Sequence, residues 1–382
     1  MSKEKQNNEQ EIKIVSPGKN KAKKICKRIF KAIGIFLLVI VIAFAGLIGF
    51  LSVTEYKPAD ITATLEIGGK ADKTLKAGDS MTVMSWNIGY GALGDNADFF
   101  MDGGTSVKTA DEKRINENMQ GVVNEITSVN PDIFFIQEAD KDSSRSDHID
   151  EYALLQNVFN NYNSTFANNF KVSFLPYPIP PIGKVDSGVA TFSSYPIIDA
   201  ERRQLPIPFS WPVSMINLKR CLLVSRVALE GTDKQLILVN LHLEAYDDGE
   251  GKIAQTKMLA EFLNSEAKKG NYIIAGGDFN QIFSSADVNA YPAQEGKWAA
   301  GQIDVKEIDG NWQFLMDSSV PSCRSLDQPY ENADKDTFQY YLIDGFIVSD
   351  NITVESCENQ DLGFKVSDHK PVVLKITLDE VK

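Results

Sequence analysis

The sequence predicts an α+β domain of two β-sheets packed face to face with helices on their outer faces, preceded by one helix that spans a membrane. Three observations carry this. After residue 80, apolar strand-like runs outnumber helical patterns and several follow one another closely. Two amphipathic stretches are spaced as helices able to cover a sheet. Residues 32–53 form a run of 22 positions without a charge. The 382-residue chain is 43% hydrophobic and 24% charged, which excludes collagen-like and wholly disordered classes. Four cysteines are too few for a disulfide scaffold.

The N-terminus comes first. At 1.5 Å per residue the uncharged run spans roughly 30 Å, the thickness of a bilayer core. Residues 1–31 read as a polar, mobile, basic tail with ten Lys/Arg, and Glu55 is the first charge after the run. Positive charge stays cytoplasmic, so the tail is expected inside and the rest outside. A cleaved signal peptide is the rival, but the basic region is long and no clear A-x-A site follows. Residues 54–80 are expected as a juxtamembrane linker and 81–382 as the globular domain. Cys221, Cys323 and Cys357 leave one odd thiol outside; the sequence chooses no pair, and buried free thiols are the default for two of them.

Within the domain, MTVMSWNI (81–88) reads as a strand followed by the Gly-rich loop GYGALGDNADFFMDGG. Ile115, Met119, Val122, Val123 and Ile126 share one helical face, and Pro131 stops that helix. Strands are expected at IFFIQE (133–138), GVATFS (188–193), CLLVSRVAL (221–229) and LILVNLHL (236–243). A second helix over 252–268 places Leu259, Phe262 and Leu263 on one face, closed by Gly270. NYIIAGGDF, YLIDGFIVS and VVLKITL complete the strands.

Polar residues end or interrupt these apolar strands: Asn87, Glu138, His242, Asp278, Asn280, Asp344 and the pair Asp368-His369. Singly, each is an ordinary strand terminator or satisfied core group. Together they hold two of the chain's three histidines. Asn87, Glu138, Asp278 and Asn280 offer hard oxygen atoms suited to Mg²⁺, Mn²⁺ or Ca²⁺ rather than zinc. Histidine beside aspartate can move a proton or face an oxyanion, as phosphoester hydrolysis needs.

The set resembles the endonuclease/exonuclease/phosphatase superfamily, which includes deoxyribonuclease I, exonuclease III-type enzymes, inositol polyphosphate phosphatases and neutral sphingomyelinases. SWNIGYG, IQE, SGVATFSSYPI, LVNLHLEA, GGDFN, YLIDGFIV and SDHKPVV carry it, in the family's order, over about residues 81–378. Seven pieces in order exceed chance matching. The resemblance implies a four-layer α/β/β/α sandwich and Mg²⁺ as cofactor. It implies Glu138 as principal metal ligand, with Asn87 and Asp368 near the metal. Asp278 and Asn280 would position water and phosphate, His369 would be base or proton relay oriented by Asp344, and His242 would bond a phosphate oxygen. Asp186 stands about where some members place a carboxylate that orients this histidine. His148 matches no motif and is expected on the surface.

The residues outside the tail and uncharged run complete the functional reading. Residues 1–58 carry +7, which leaves −20 on 59–382. That balance disfavours non-specific nucleic-acid binding, which relies on neutralising phosphates. The substrate expected first is a phosphodiester of a lipid headgroup or small molecule; an extracellular nuclease, a phosphomonoesterase and a catalytically silent binding module remain alternatives. No protein partner is inferred. FLPYPIPPIGK (174–184) and LPIPFSWPVSMI (205–216) flank the expected site and either contact lipid, cover the pocket or pack on the body. Arg202, Arg203, Lys219 and Arg220 either bind phosphate or sit on a solvated face.

Overall fold

The computed structural model of the chain describes residues 19–247 and 249–380. It divides into two compact units, Met1–Val53 and Thr54–Lys382. In the first, Lys19–Thr54 is one 36-residue helix. It contains a stretch of mean hydropathy 3.0, long and apolar enough to cross a membrane, a property signal sequences share. The basic run 19–31, expected as a mobile tail, is part of this helix, consistent with the helix preference of Lys, Arg and Ala. The rest of the tail lies outside the described residues.

The second unit is built on two sheets. One has six strands in the order Ile352–Asn359, Val372–Leu378, Ser80–Asn87, Ile133–Asp140, Gly183–Ser193, Asn163–Leu175. The other has seven: Ile61–Thr62, Ile197–Gln204, Cys221–Ala228, Gln235–His242, Tyr272–Asp278, Asp344–Ser349, Trp312–Leu315. Side chains alternate across each strand, so neighbours enter different layers. Val83, Ile133, Phe135 and Leu374 meet Leu236, Leu238, Ile274 and Phe346 between the sheets. The alternate residues Met84, Trp86, Phe134 and Ile136 face outward under the helices Glu112–Val129 and Glu151–Val158. On the far side Ile237, Val239 and Ile273 lie under Leu259, Phe262 and Leu263 of the helix Glu250–Ala267. This is the four-layer sandwich expected from the family resemblance.

The first covering helix is capped as its sequence dictates: the Asp111 carboxylate accepts the Arg114 N–H, and Asn130 ends it in the left-handed conformation. Asn163–Leu175, Ile197–Gln204 and Ile352–Asn359 are strands the sequence reading leaves out. The first and last are sheet edges, which need only one apolar face and carry many polar residues. Residues 54–80 are a correction: they are not a free linker. Ile61 and Thr62 pair with Arg203 and Arg202, Gly68 bridges Ser164, and Leu75 bridges Leu229. Their backbone groups find partners on an open sheet edge, which a solvated linker would leave to water. All four cysteines are free thiols.

Phe135 is wholly buried between the sheets. Phe135→Ala is expected to destabilise the domain by about 3–5 kcal/mol, read as a lowered urea midpoint of the full chain in detergent with an unchanged slope.

Candidate active site

Every strand that carries a signature residue delivers it to one end of the sandwich. Asn87 and Asp278 are the last residues of their strands, His242 ends a third, and Asp344 begins a fourth. Parallel pairing sets His242 beside Asp278, and antiparallel pairing sets Asp344 beside Asp278. Asp368 and His369 precede Val372–Leu378, and His369 bridges Cys323.

Local backbone explains the motif letters. In GGDFN, a Cβ on Gly277 would stand 1.9 Å from the Leu241 carbonyl oxygen, and one on Gly276 would strike the Phe346 ring. Only glycine permits this close approach, at φ +147° for Gly277. Glu138 and Asn280 both adopt positive φ, +56° and +52°, a strained choice for residues with side chains. For Glu138 the strain coincides with a register shift between Ile136 and Ala139. Such a bulge re-aims the side chain at the strand end.

The side chains form one connected set. His369 Nδ1 donates to Asp344 Oδ2 at 2.9 Å, and its Nε2 lies 3.7 Å from Asp278 Oδ2. The Ser322 hydroxyl accepts the Asp344 N–H, and the Trp86 indole donates to the His369 carbonyl. His242 Nε2 is 3.3 Å from Asp278 Oδ2, while its Nδ1 is 3.9 Å from Glu138 Oε1 and has no hydrogen-bond partner. The Asn280 N–H donates to Asp278 Oδ1 at 2.9 Å, and its side chain donates to the Leu243 carbonyl. Asn87 Nδ2 donates to Glu138 Oε1 (3.2 Å) and Asp278 Oδ2 (3.1 Å).

Burial sets the charges. Burial, reinforced by the neighbouring Asp344 carboxylate, pushes the Asp278 carboxyl up to about 7. Asp368 is raised to about 6 by burial, with Glu138 contributing. Burial alone would lower His369, but the bonded Asp344 carboxylate outweighs it and holds the imidazole well above its usual range. His242 goes the other way: burial, then the Arg220 cation, keeps it well below. Burial and the nearest charge thus shift the two histidines of one site in opposite directions.

The donor set fits a hard divalent cation. Asp278, Asp344 and Asp368 are buried and Glu138 is half-buried beside them, a concentration of negative charge that a cation relieves. Glu138 and Asp368 would hold it. Cys323 lies within ligand reach of Asp368 and His369, and burial pushes its thiol up to about 12.

Two expectations are corrected. Asp186 does not orient His242: it bonds Asn168 (2.6 Å) and Lys171 (2.7 Å) on the neighbouring strand and does not line the cavity. Those partners satisfy the carboxylate locally. Asn87, expected beside the metal as an oxygen ligand, has its Oδ1 taken by the Gly89 N–H and turns its nitrogen to the carboxylates. It orients Glu138 and Asp278. His148 is exposed, as expected, and pairs with Asp142.

The site floors a cavity of about 520 Å³. Its walls come from the Gly-rich loop (Leu93, Phe99, Phe100) and from both proline-rich segments (Leu175, Tyr177, Phe209, Val213, Ile216). Those segments therefore cover the pocket. Of the four basic residues weighed in the sequence, only Arg220 lines the cavity. Arg202 is buried on the Asn168 and Lys219 carbonyls, Arg203 pairs with Glu201, and Lys219 with Glu55.

Residues the sequence reading does not single out complete the site. Arg145 lines the cavity, stacks 3.7 Å from the Tyr90 ring centre and is held by two bonds to Asp140. Beneath the floor, Gln137 donates to Asn240 at 2.8 Å, joining the two sheets, and Asn240 donates to the Ala190 carbonyl. Gln137 sits in IQE and Asn240 in VNLH, so an interior polar residue in an apolar strand was the available signal. Arg145 lies in a polar loop stretch that carries no such signal.

One solved structure shares this architecture. An endonuclease/exonuclease/phosphatase protein from Beutenbergia cavernae aligns with TM-score 0.53 at 16% identity, covering 78% of this chain and 72% of its own. One from Bacteroides vulgatus (TM-score 0.49, 15% identity) covers 79% and 100%. The human nocturnin catalytic domain with bound sulfate (0.48, 17%) covers 79% and 94%. At 16% identity the Beutenbergia cavernae protein speaks to the fold alone. No curated protein matches the chain. The sequence pattern of the Endonuclease/Exonuclease/phosphatase family matches residues 84–369, most of the domain. The chain belongs to the endonuclease/exonuclease/phosphatase family.

Proposed function

We propose that this chain is a membrane-anchored, extracytoplasmic phosphodiesterase that requires a divalent cation, Mg²⁺ first, and hydrolyses a lipid-headgroup or small-molecule diester. The observation that carries the reading is the Asp344–His369 pair set against Asp278 on the floor of a cavity with apolar walls. The −20 charge of the domain supports a substrate other than duplex nucleic acid. The uncharged run with its basic flank supports an anchored, outward-facing domain.

A cation held by Glu138 and Asp368 would polarise the phosphoryl oxygens and offset developing charge. The chain's own groups do the rest. Asp278, poised near neutrality and fixed by the Asn280 N–H, accepts the proton of the attacking water. Asp344 keeps His369 cationic, so its Nε2–H donates to charge developing on phosphate oxygen. His242, kept from protonation by burial and the Arg220 cation, stands with Nε2 3.3 Å from Asp278 Oδ2 and walls that side of the reacting group. The Tyr90, Phe99 and Phe100 side of the cavity limits water around the reacting phosphate.

The test is hydrolysis of bis-(p-nitrophenyl) phosphate by the full chain in detergent. EDTA is expected to abolish it, and His369→Ala to lower the rate by on the order of 10²-fold or more. Glu138→Gln is expected to act mainly by raising the Mg²⁺ concentration needed for half-maximal rate. Full activity in both variants and in EDTA would refute the proposal.

The pH profile follows from the shifts. Asp278 acts as carboxylate, so the rate falls as pH drops through about 7. A saturating cation stabilises the carboxylate and moves that limb to lower pH. His369 acts as cation, so the alkaline limb lies above the usual histidine range. Asp344→Asn removes the supporting charge and is expected to move the alkaline limb to lower pH. A limb that stays in place, measured as kcat/KM against pH, would remove Asp344 from this role.

A further inference from the structure

Around the cavity mouth the domain exposes large apolar side chains that its core does not use. Tyr177 is 65% exposed, Ile179 94%, Trp211 64%, Val213 48% and Met101 49%. Met101, Tyr177 and Val213 line the mouth itself, and Tyr177 packs on Phe100. Ile179 and Trp211 stand two positions along the two proline-rich segments. Exposed apolar side chains gathered on the segments that wall a cavity mark an interaction surface.

A second observation identifies what covers it. Glu55, two residues after the last position of the uncharged run, is pinned to the domain: its carboxylate pairs with Lys219 Nζ at 3.2 Å. That ammonium also donates to the Ser214 carbonyl, one residue from Val213 and three from Trp211. Both Lys219 and Glu55 are largely buried, so the contact is built into the domain. Asp60 continues the attachment by accepting the Gln204 N–H. Two residues span at most roughly 7 Å, and the headgroup zone of a bilayer is roughly 5–8 Å deep on each side. With 32–53 in a membrane, Glu55 and the Ser214 segment it holds stand in or beside that zone. There, Trp and Tyr are favoured because one end of each ring is apolar and the other wet.

We infer that the rim formed by Met101, Tyr177, Ile179, Trp211 and Val213 docks on the bilayer surface, so that the cavity mouth opens at the lipid interface. The inference rests on residues 32–53 being a membrane anchor. It deepens the proposed function by naming the place where the site meets its substrate. The partner is recognised through apolar and aromatic insertion and not through charge, since the domain is acidic.

The experiment places the full chain in phosphatidylcholine vesicles, with and without acyl chains brominated close to the headgroup, at high salt. Brominated lipid is expected to quench tryptophan emission, and Trp211→Phe to remove most of that quenching, because Trp86 is buried and Trp298 and Trp312 are half-buried. Ile179→Asp is expected to reduce the Trp211 quenching roughly twofold or more by placing a charge in the interface. Equal quenching in wild type and Trp211→Phe overturns the docking. So does Trp211 emission that shifts with protein concentration in detergent and ignores brominated lipid, which marks a second copy on the patch. A chain that fails to float with the vesicles overturns the docking together with the anchor. Hydrolysis of soluble bis-(p-nitrophenyl) phosphate on the same wild-type vesicles tests the catalytic reading apart: its absence with quenching intact counts against the reaction alone.

Discussion

The packing of two sheets through one apolar layer governs everything else in this domain. Phe135 and Val83 on one face and Phe346 and Ile274 on the other lock the strands at fixed depth. Asn87, Glu138, Asp278 and Asp344 lie at the ends of those strands, so sliding a sheet by one residue would scatter them and turn the core face outward. The polar bridge from Gln137 to Asn240 sits in the same interlayer space, where an unpaired amide is costly. It therefore penalises misregister just below the reacting groups.

The second constraint is electrostatic. Asp278, Asp344 and Asp368 are buried beside the half-buried Glu138, and Arg145, Arg220, Arg324 and His369 line the same cavity. His369 is held cationic by Asp344, while Arg145 is committed to Asp140. The carboxylate set fits a small, hard cation. The same crowding pushes Asp278 into the range where a carboxyl can exchange protons near neutrality.

Above this floor the surroundings change character. Aromatic and aliphatic side chains from three loops form the walls, and their outermost members stay exposed. The attachment of Glu55 to Lys219 joins the start of the domain to one of those loops. Segment 54–80 thus works as part of the scaffold, with its own edge strand.

The sequence by itself determined the alternating core strands, the two amphipathic covering helices, the uncharged run and the polar strand ends, because these depend on period and local composition. Gly276-Gly277 before Asp278 also announced a close backbone approach. The edge strands Asn163–Leu175 and Ile352–Asn359 stayed hidden because a half-solvated edge tolerates polar residues. Tertiary structure alone decided which groups touch. It sent Asp186 to Lys171, turned the nitrogen of Asn87 to the carboxylates, and brought Arg145 and the proline-rich segments to the cavity. It also pushed the proton affinities of His242 and His369 in opposite directions, since burial and the nearest charge set a histidine's proton, and neither is written in the residues beside it.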